Sequence, residues 1–393
     1  MTSPDPILAP WPHYPEDEIA AAEAVLRSGR VNYRTGDVGK TFEDEYAAYC
    51  GAAHALTMAN GTAALEVALE ALEIGQGDEV IVPARTFVAT ASAVVRTGAT
   101  PVVADIDVRS QSMTAETVSA VLSERTRAII PVHLAGWSAD MDPILDIARA
   151  SGLAVIEDCA QAHGATYKGR HVGTLGDIGC FSFCQDKIIT TGGEGGLVTT
   201  NNAALYKTMW SLRDHGWDYD KAHNMDTTPG FKWMVDTFAT NWRMTEMQSA
   251  IGRVQLSKLE DWVGARRRNA QRLTHAISDL TAVADLTPPD DVRHSYYKYN
   301  ILLERDGLAS NWTRDRIVDD LNARGVPARV GACPDISRES AFANSGINTT
   351  NTRPNADDLT DRTIMLPVHP TLTEGNVAFM AEGLRDVLSQ ASR

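Results

Sequence analysis

The sequence has little of what marks secreted, membrane or nucleic-acid-binding proteins. Its five cysteines form no Cys-x-x-Cys pair, which favours free thiols in a reducing compartment. Residues 1–15 lack a basic-then-apolar signal pattern, and no apolar run reaches the roughly eighteen residues of a membrane span. The net charge is −15 and no run of five or more basic residues occurs, so neither nucleic acid nor a membrane is an expected partner. We therefore expect a cytoplasmic protein.

Motifs for several other cofactor classes are also missing. After Gly193-Glu194-Gly195, Val198 stands where a dinucleotide-binding fingerprint has its third glycine. The full P-loop spacing, Gly-x-x-x-x-Gly-Lys-Ser/Thr, does not occur. The ten histidines show neither His-x-x-x-His nor His-Glu-x-x-His spacing, so we predict no metal site.

Apolar strands alternate with amphipathic helices along the first half of the chain. Seven strands are predicted, at Ala55–Met58, Glu79–Pro83, Thr100–Ala104, Arg127–Val132, Ala154–Asp158, Gly179–Phe183 and Leu197–Thr200. Helices are predicted at Glu16–Ser28, Thr41–Tyr49, Ala63–Leu72, Thr86–Thr97, Ala115–Leu122 and Met141–Ala150. This order predicts an α/β fold with a mostly parallel sheet, which binds ligands beyond the carboxyl ends of its strands.

The second half is predicted to contain a smaller unit. Residues 203–240 are predicted to be less regular, and a long helix is expected from Met244 to about Leu280. A compact α/β unit follows, with strand Tyr297–Leu303, helix Arg314–Arg324 and a last helix from Gly375. We therefore predict a large domain over residues 1–250, including an N-terminal arm, and a linking helix with a small domain over 251–393.

One predicted strand end carries a lysine beside a glycine-rich bend. Lys187 follows the strand Gly179–Phe183 and precedes the run 192–196. A lone loop lysine is usually just solvated, but one held at a strand end can bind a cofactor carbonyl covalently. Asp158 ends another apolar strand, about thirty residues upstream. Pyridoxal 5'-phosphate needs this pair, with the lysine on its aldehyde and the acid on its pyridine nitrogen.

Three further positions are consistent with that cofactor. The amides of Gly61 and Thr62 begin a predicted helix and can hold a phosphate. A motif of this kind is, however, more often a simple helix N-cap without a ligand. Phe87 follows a strand end and can stack on a planar ring, or it can belong to the core. His163 either supports Asp158 or is an ordinary packed histidine.

Four motifs in order resemble one known family, the sugar aminotransferases of the DegT/DnrJ/StrS group. The likeness runs from about Glu18 to the C-terminus. The motifs that carry it are Asn60-Gly61-Thr62, Glu157-Asp158-Cys159-Ala160-Gln161-Ala162-His163-Gly164, Ser182-Phe183 with Lys187 and Gly193-Glu194-Gly195-Gly196, and Asn241-Trp242-Arg243-Met244-Thr245-Glu246. The resemblance implies the aspartate-aminotransferase-like fold, fold type I.

The resemblance also implies a role for each matching position. Lys187 would bind the cofactor and shuttle the proton, and Asp158 would pair with the pyridine nitrogen. Gln161 would contact the ring hydroxyl, and Phe87 would stack on the ring. The phosphate would be bound by Gly61, Thr62 and Ser182, together with Asn241 of the neighbouring subunit. A homodimer with its active sites at the subunit interface is therefore expected.

The predicted substrate contacts come from two sources, which are segments that differ from the family pattern and individual charged or polar residues. The turn Cys184-Gln185-Asp186 and the segment 326–337 differ from the family pattern, and we expect both to face the substrate. The candidate substrate contacts are Asp186, Arg213, His215, Arg243, Tyr297 and Arg329. For each arginine, a structural ion pair is an equally good explanation.

The resulting functional hypothesis is a pyridoxal-phosphate-dependent aminotransferase. It would move an amino group from glutamate or glutamine to a keto sugar, expected to be nucleotide-linked, in polysaccharide or secondary-metabolite biosynthesis. Three alternatives remain open. The acceptor can be a keto cyclitol, the reaction can be a sugar dehydration, or the chain can be a non-catalytic binding or regulatory protein.

Overall fold

The strands of the protein form one large sheet and two small ones. The computed structural model describes residues 8–224 and 230–393. Within those residues the strands are β1 (His54–Met58), β2 (Glu79–Pro83), β3 (Thr100–Ala104), β4 (Thr126–Ile129), β5 (Ala154–Asp158), β6 (Thr166–Tyr167), β7 (Arg170–His171), β8 (Ile178–Ser182), β9 (Gly196–Thr200), β10 (Val292–Arg293), β11 (Tyr299–Leu302) and β12 (Thr363–Leu366).

Helices precede, separate and follow these strands. The α-helices are α1 (Glu16–Ser28), α2 (Val38–Cys50), α3 (Gly61–Ala71), α4 (Ala89–Arg96), α5 (Ala115–Ser119), α6 (Met141–Ser151), α7 (Ala203–Arg213), α8 (Tyr219–His223), α9 (Glu246–Ile277), α10 (Arg314–Ala323), α11 (Ser340–Ser345), α12 (Pro354–Asp358) and α13 (Glu374–Ala391). Short 3-10 turns lie at Leu134–Gly136, Arg305–Gly307, Ile336–Arg338 and Leu359–Asp361.

The large sheet has seven strands in the order β1-β9-β8-β5-β4-β2-β3. Strand β9 is antiparallel to both of its neighbours, and the other neighbouring pairs are parallel. Every residue of β2, β8 and β9 is buried, as expected for strands covered by helices on both faces. The predicted mostly parallel seven-stranded sheet is confirmed.

Helix α9 connects two hydrophobic cores. Leu256, Leu259 and Val263 pack into a core of the large sheet, whereas Leu273 and Ile277 pack with β11, β12 and α13. The predicted boundary after residue 250 falls inside this helix, so the division into 1–250 and 251–393 stays a prediction. Among the described residues, no helix is long and apolar enough to cross a membrane.

Two predicted helix starts and one predicted irregular region were wrong for identifiable reasons. Helix α2 begins at Val38 rather than Thr41 because the Glu246 carboxylate accepts hydrogen bonds from the Val38 and Gly39 amides, a tertiary cap. Helix α4 begins only after the strand-end turn that contains Phe87. The region 203–240 is also more regular than predicted, since Asn202 caps helix α7. Residues 225–229 of that region lie outside the described residues.

Candidate active site

Polar residues converge where β1, β5 and β8 end and β9 begins. The strands meet so closely that a Cβ on Gly196 would lie 2.3 Å from the main-chain oxygen of Asn60. A Cβ on Gly61 would lie 2.6 Å from the Cβ of Ser182. Glycine is therefore required at both positions for the strand ends to approach each other. We call Gly61, Thr62, Phe87, Asp158 and Ser182, which lie along this edge, the sheet-edge residues.

The start of α3 supplies hydrogen-bond donors at this edge. The Asn60 side chain caps the Ala63 amide at 2.9 Å, which leaves the first two helical amides, those of Gly61 and Thr62, without an intrahelical partner. The buried Ser182 lies against Gly61 and adds a hydroxyl group. Free amides at the positive end of a helix bind phosphate.

Asp158 ends β5 as a buried carboxylate, only 7% exposed. It accepts hydrogen bonds from the Thr90 hydroxyl at 2.9 Å and from the Ala160 amide at 3.1 Å. Burial raises its pKa, and the charge of Lys187 acts in the opposite direction. Since no arginine or lysine forms an ion pair with it among the described residues, Asp158 can neutralise a cationic ligand group.

Phe87 and Gln161 each leave a group free to contact a ligand. The Phe87 side chain is 68% exposed although it follows a fully buried strand, so it offers a free ring face at the sheet edge. The Gln161 Oε1 accepts a hydrogen bond from the Ala135 amide at 2.8 Å. That bond directs the side-chain oxygen to the backbone and leaves the amide NH₂ group to donate to a ligand.

Lys187 lies in a turn that is held by its own backbone. Its amide donates to the Cys184 carbonyl at 3.0 Å, and its carbonyl accepts from the Trp11 indole at 3.0 Å. The Nζ atom lies 4.9 Å from the ring centroid of Tyr297, in cation–π range. The half-buried amine is therefore placed by aromatic contact and by the turn.

A second group of side chains faces Lys187 from the start of β11. The Tyr297 hydroxyl donates to the Asp186 carboxylate, and the Lys298 Nζ lies 3.8 Å from the same Asp186 oxygen. Both Lys187 and Lys298 are within 5 Å of the Tyr297 ring, at 4.9 and 4.6 Å. We call Asp186, Tyr297 and Lys298 the Tyr297 cluster.

The surroundings of the Tyr297 cluster are cationic. Burial lowers the pKa of Lys298 to about 8, although Asp186 opposes the shift. The charges of Arg266, Lys187 and Arg329 lower it further, so these cations lie near Lys298. The structure therefore brings the predicted residues Asp186, Tyr297 and Arg329 together with Lys187, around a lysine that the sequence analysis did not identify.

His163 contacts Ser182 rather than Asp158. Its Nε2 is 2.8 Å from the Ser182 carbonyl, and its Nδ1 is 2.9 Å from the Tyr46 hydroxyl. Burial lowers the pKa of His163 to about 4, so the ring is neutral at pH 7. Because a carbonyl only accepts, Nε2 carries the proton and Nδ1 accepts from Tyr46. Of the two alternatives given for His163, the structure fits a packed histidine that fixes the end of β8, because neither ring nitrogen is bonded to Asp158.

Arg213 lies apart from the sheet-edge residues. It is fully buried, pairs with Glu43 at 2.7 Å, donates to the Thr57 carbonyl and lies 4.1 Å above the Tyr33 ring. These contacts place its guanidinium in the packing beside β1, which matches the structural alternative for this residue.

The predicted residues 215, 241 and 243 lie on one pair of adjoining segments. Asp214 pairs with Asn241, and the Trp242 carbonyl accepts from the Ala59 amide at the end of β1. The Arg243 guanidinium forms an ion pair with Asp214, which accounts for it structurally. The side chains of Asn241 and His215 are exposed. Among the described residues, neither side chain forms a hydrogen bond or an ion pair with a sheet-edge residue.

The buried set His133, Glu157 and Cys159 resembles a metal site in composition only. Its potential ligand atoms lie within 4.8 Å of one another. The Glu157 carboxylate already accepts from the amides of residues 173, 175 and 176, at 2.7–2.8 Å, and lies 3.0 Å from His133 Nε2. These bonds satisfy both carboxylate oxygens, so the group is explained as structural.

The sheet-edge residues fit pyridoxal 5'-phosphate. A buried carboxylate without a cation partner suits its protonated pyridine nitrogen, and free helix amides with a serine hydroxyl suit its phosphate. An exposed phenyl ring and a free amide NH₂ group suit the ring and its hydroxyl. The Lys187 amine would suit the aldehyde.

Three contributing residues were missed by sequence reasoning. Thr90 follows Phe87 by one helical turn, a spacing that brings both to the same strand end, so this signal was available. Lys298 and Trp11 had no such signal, because only tertiary packing brings β11 and the N-terminal segment to Lys187.

Comparison with known proteins shows the family of the chain. Residues 12–385 match the DegT/DnrJ/EryC1/StrS aminotransferase family. GDP-perosamine synthase of Caulobacter vibrioides is 43% identical over 73% of this chain and 74% of its own. UDP-N-acetyl-3-dehydro-alpha-D-glucosamine 3-aminotransferase of Acidithiobacillus ferrooxidans is 38% identical over 91% and 90%.

A solved structure of similar sequence supports the same assignment. An aminotransferase from Psychrobacter cryohalolentis superposes with a TM-score of 0.95 and 45% identity, covering 98% of this chain and 99% of that one. The expected fold type I and the expected cofactor, pyridoxal 5'-phosphate, are thereby confirmed. The chain belongs to the DegT/DnrJ/EryC1/StrS aminotransferase family and is a pyridoxal-phosphate-dependent enzyme of that family.

Proposed function

We propose that the protein transfers an amino group from glutamate or glutamine to a keto sugar that is linked to a nucleotide. The observation that carries the proposal is the position of Lys187. Its amine lies beside the Tyr297 ring, in cationic surroundings, and its charge also acts on the sheet-edge residue Asp158. An aminotransferase needs the sheet-edge residues for its cofactor, and an anionic acceptor suits the cations around the Tyr297 cluster. Sugar nucleotides named for the two curated relatives, GDP- and UDP-linked, support an acceptor of this kind.

The sheet-edge residues and Gln161 would fix the cofactor without taking part in proton transfer. Gly61, Thr62 and Ser182 would bind its phosphate, Phe87 and Gln161 would hold its ring, and Asp158 would keep its pyridine nitrogen protonated. When bound, the cofactor supplies an electron sink that stabilises negative charge at the substrate carbon. The buried position of Asp158 makes its charge effective, because little solvent screens it.

Lys187 would bind the cofactor at rest and move the proton during turnover. Transamination requires a reversible 1,3-proton shift, so one base must reach two neighbouring atoms. Lys187 sits on a turn that fixes its backbone while its side chain extends beside Tyr297. A fixed backbone with a long flexible side chain meets that requirement.

The Tyr297 cluster would receive the acceptor. One Asp186 oxygen binds Tyr297 and Lys298, so the carboxylate is oriented and its other oxygen can accept from a sugar hydroxyl. Lys298 and Arg329 supply positive charge within a chain of net charge −15. That local charge suits the phosphates of a nucleotide and supports the choice of a nucleotide-linked acceptor.

We further infer a homodimer. Phe231, Trp233 and Phe238 are among the most exposed large apolar side chains, and Trp233 is 84% exposed. They lie in the segment that leads to Asn241, and exposed aromatic patches of this kind mark protein interfaces. A second copy covering this segment would bring Asn241 to the phosphate of the neighbouring site. Light scattering at micromolar concentration tests the dimer, and a monomer that is fully active would contradict it.

A cytoplasmic location is also part of the proposal. All five cysteines are free thiols, and three of them are buried in the core of the protein. Free thiols on this scale fit a reducing compartment.

The deciding experiment is a visible spectrum of the purified protein, with pyridoxal phosphate, before and after addition of L-glutamate. We expect an absorbance band of the lysine-bound cofactor that shifts on amino transfer. Lys187→Ala should abolish that band, whereas Lys168→Ala, which alters an exposed lysine paired with Asp142, should keep it. A band that persists unchanged in Lys187→Ala would refute the proposed role of this lysine.

The acceptor can then be identified with the donor-loaded enzyme. Keto sugars linked to GDP, UDP or dTDP, and free keto cyclitols, are offered in parallel at matched concentration. Return of the lysine-bound absorbance reports transfer to the acceptor. We expect return with nucleotide-linked sugars, and a response to cyclitols alone would contradict the proposed acceptor class.

A further inference from the structure

The N-terminal segment 8–15 lies against the turn that carries Lys187. Trp11 donates a hydrogen bond from its indole Nε1 to the Lys187 carbonyl, at 3.0 Å. The Lys187 amide is bonded to Cys184 in the same turn. Trp11 and Lys187 are separated by 176 positions, so tertiary packing alone makes this contact.

Trp11 is itself held by residues from two other parts of the fold. Its ring packs edge-on against Trp262 of α9 at 5.2 Å, and it stacks on His369, after β12, at 5.9 Å. The neighbouring Pro10 carbonyl accepts from the Thr371 hydroxyl at 2.9 Å. Contacts other than the bond to the lysine turn therefore hold the indole in place.

A second route connects Trp11 with the Lys187 side chain. The guanidinium of Arg266 lies 5.1 Å from the Trp11 ring and donates to the Tyr297 carbonyl at 3.1 Å. Arg266 is fully buried, and its Nε and Nη2 atoms have no hydrogen-bond partner among the described residues. An aromatic face partly compensates such a buried cation. Tyr297 in turn contacts the Lys187 Nζ through its ring.

We propose that Trp11 is a positioning residue for Lys187. Its indole N–H holds the backbone of the lysine turn, and its ring packs against Arg266, which is bonded to the Tyr297 carbonyl, so that the amine stays at the position from which it must bind the cofactor and move a proton. The inference depends on the proposed role of Lys187. It assigns a function to a segment that precedes the first helix and is otherwise explained only as an arm.

Two variants separate the contributions of the N–H group and the ring. Trp11→Phe keeps an aromatic ring against Trp262, His369 and Arg266 but removes the donor to the Lys187 carbonyl. Trp11→Ala removes both. Trp312→Phe is the matched control, because Trp312 also lies under an arginine, Arg316 at 3.9 Å, but packs in the core formed with α10 and α13.

The first readout is amide hydrogen exchange over residues 184–188 in the cofactor-free protein. Loss of one ordinary hydrogen bond should speed exchange there by about fivefold in Trp11→Phe. The second readout is the rate constant for amino transfer from L-glutamate in the cofactor-loaded enzyme. We expect it to fall by a similar factor, about fivefold, in Trp11→Phe and further in Trp11→Ala, with the KM for glutamate little changed.

The outcomes distinguish this inference from the proposed function. Wild-type exchange and wild-type rate in Trp11→Phe would overturn the inference. Faster exchange without a slower rate would also overturn it, because Trp11 would then only stabilise the turn. Failure of the Lys187→Ala test, by contrast, would refute the role of Lys187 whatever Trp11 does. If Trp11→Ala does not fold, Trp11→Phe still decides the question.

Discussion

Two adjacent acids at the end of β5, Glu157 and Asp158, have opposite environments. Glu157 accepts three backbone amides and contacts His133, so its hydrogen-bonding capacity is used within the protein. Asp158, on the other face of the strand, accepts hydrogen bonds from the Thr90 hydroxyl and the Ala160 amide, and burial raises its pKa. One acid holds the fold together, and the other is available to a ligand.

This difference shows that burial of a charged group does not by itself indicate function. Both carboxylates are nearly inaccessible, and both lie at the carboxyl edge of the sheet. What separates them is the number of donors that already satisfy each one, which decides whether a cationic ligand group gains anything by binding.

The largest effect is expected when the two acids are neutralised separately. Asp158→Asn should lower kcat/KM by about 10²–10³-fold with little loss of stability, because a charge aimed at the cofactor is lost. Glu157→Gln should lower the free energy of unfolding by about 3 kcal/mol. The NH₂ group of the glutamine would face backbone N–H groups that now donate to a carboxylate oxygen, so those donors would lose their acceptor. Steady-state kinetics and chemical denaturation measure the two quantities.

The contrast between Asp158 and Glu157 would be contradicted if both substitutions lowered activity, or if Asp158→Asn lowered only stability and Glu157→Gln only activity. A catalytically normal Asp158→Asn enzyme would mean that the carboxylate does not act on the cofactor. The folded fraction of Glu157→Gln should keep a kcat close to that of the wild type. A large loss of kcat there, with stability unchanged, would place Glu157 in the site as well.

The fold and the cofactor side of the site were predictable because they depend on local patterns. Buried strands and helix caps can be recognised from the sequence. Asp158 and Ser182 are each the last residue of such a strand, so their positions at the sheet edge follow from the predicted strands. The start of α2 was not predictable, since its cap is Glu246, more than 200 positions away. Lys298 and Trp11 were missed for the same reason, because distant segments bring them to Lys187. Arg213 was proposed as a substrate contact because its partner Glu43 cannot be recognised from sequence.

A smaller effect is expected from the Tyr297 cluster. Lys298→Met keeps the length of the side chain and removes its charge, so the KM for a nucleotide-linked acceptor should rise by about 10–100-fold. The absorbance of the lysine-bound cofactor and the reaction with glutamate should change little, because Asp158 and the phosphate-binding residues are intact. Half-reaction kinetics measured separately with donor and acceptor test this expectation. An equal loss in both half-reactions would assign Lys298 to the cofactor instead of the acceptor.

The smallest effect is a change in the pH dependence of acceptor use. Burial lowers the pKa of Lys298 to about 8, so its positive charge is present at pH 7 and is lost as the pH rises through 8. Asp186, Lys187, Arg266 and Arg329 are the charged groups that contribute to this shift.

The wild-type kcat/KM for the acceptor should therefore fall above about pH 8, by several-fold per pH unit. In Lys298→Met the fall above about pH 8 should be absent. The kcat/KM of this variant should be lower than that of the wild type at pH 7 and should change little with pH. The unfolded chain binds the Lys298 proton up to a higher pH than the folded one. Stability should therefore rise, rather than fall, between about pH 8 and 10.5. A Lys298→Met enzyme that keeps the wild-type alkaline limb would assign that limb to another group, and Lys298 would then be no more than a packed lysine beside Asp186.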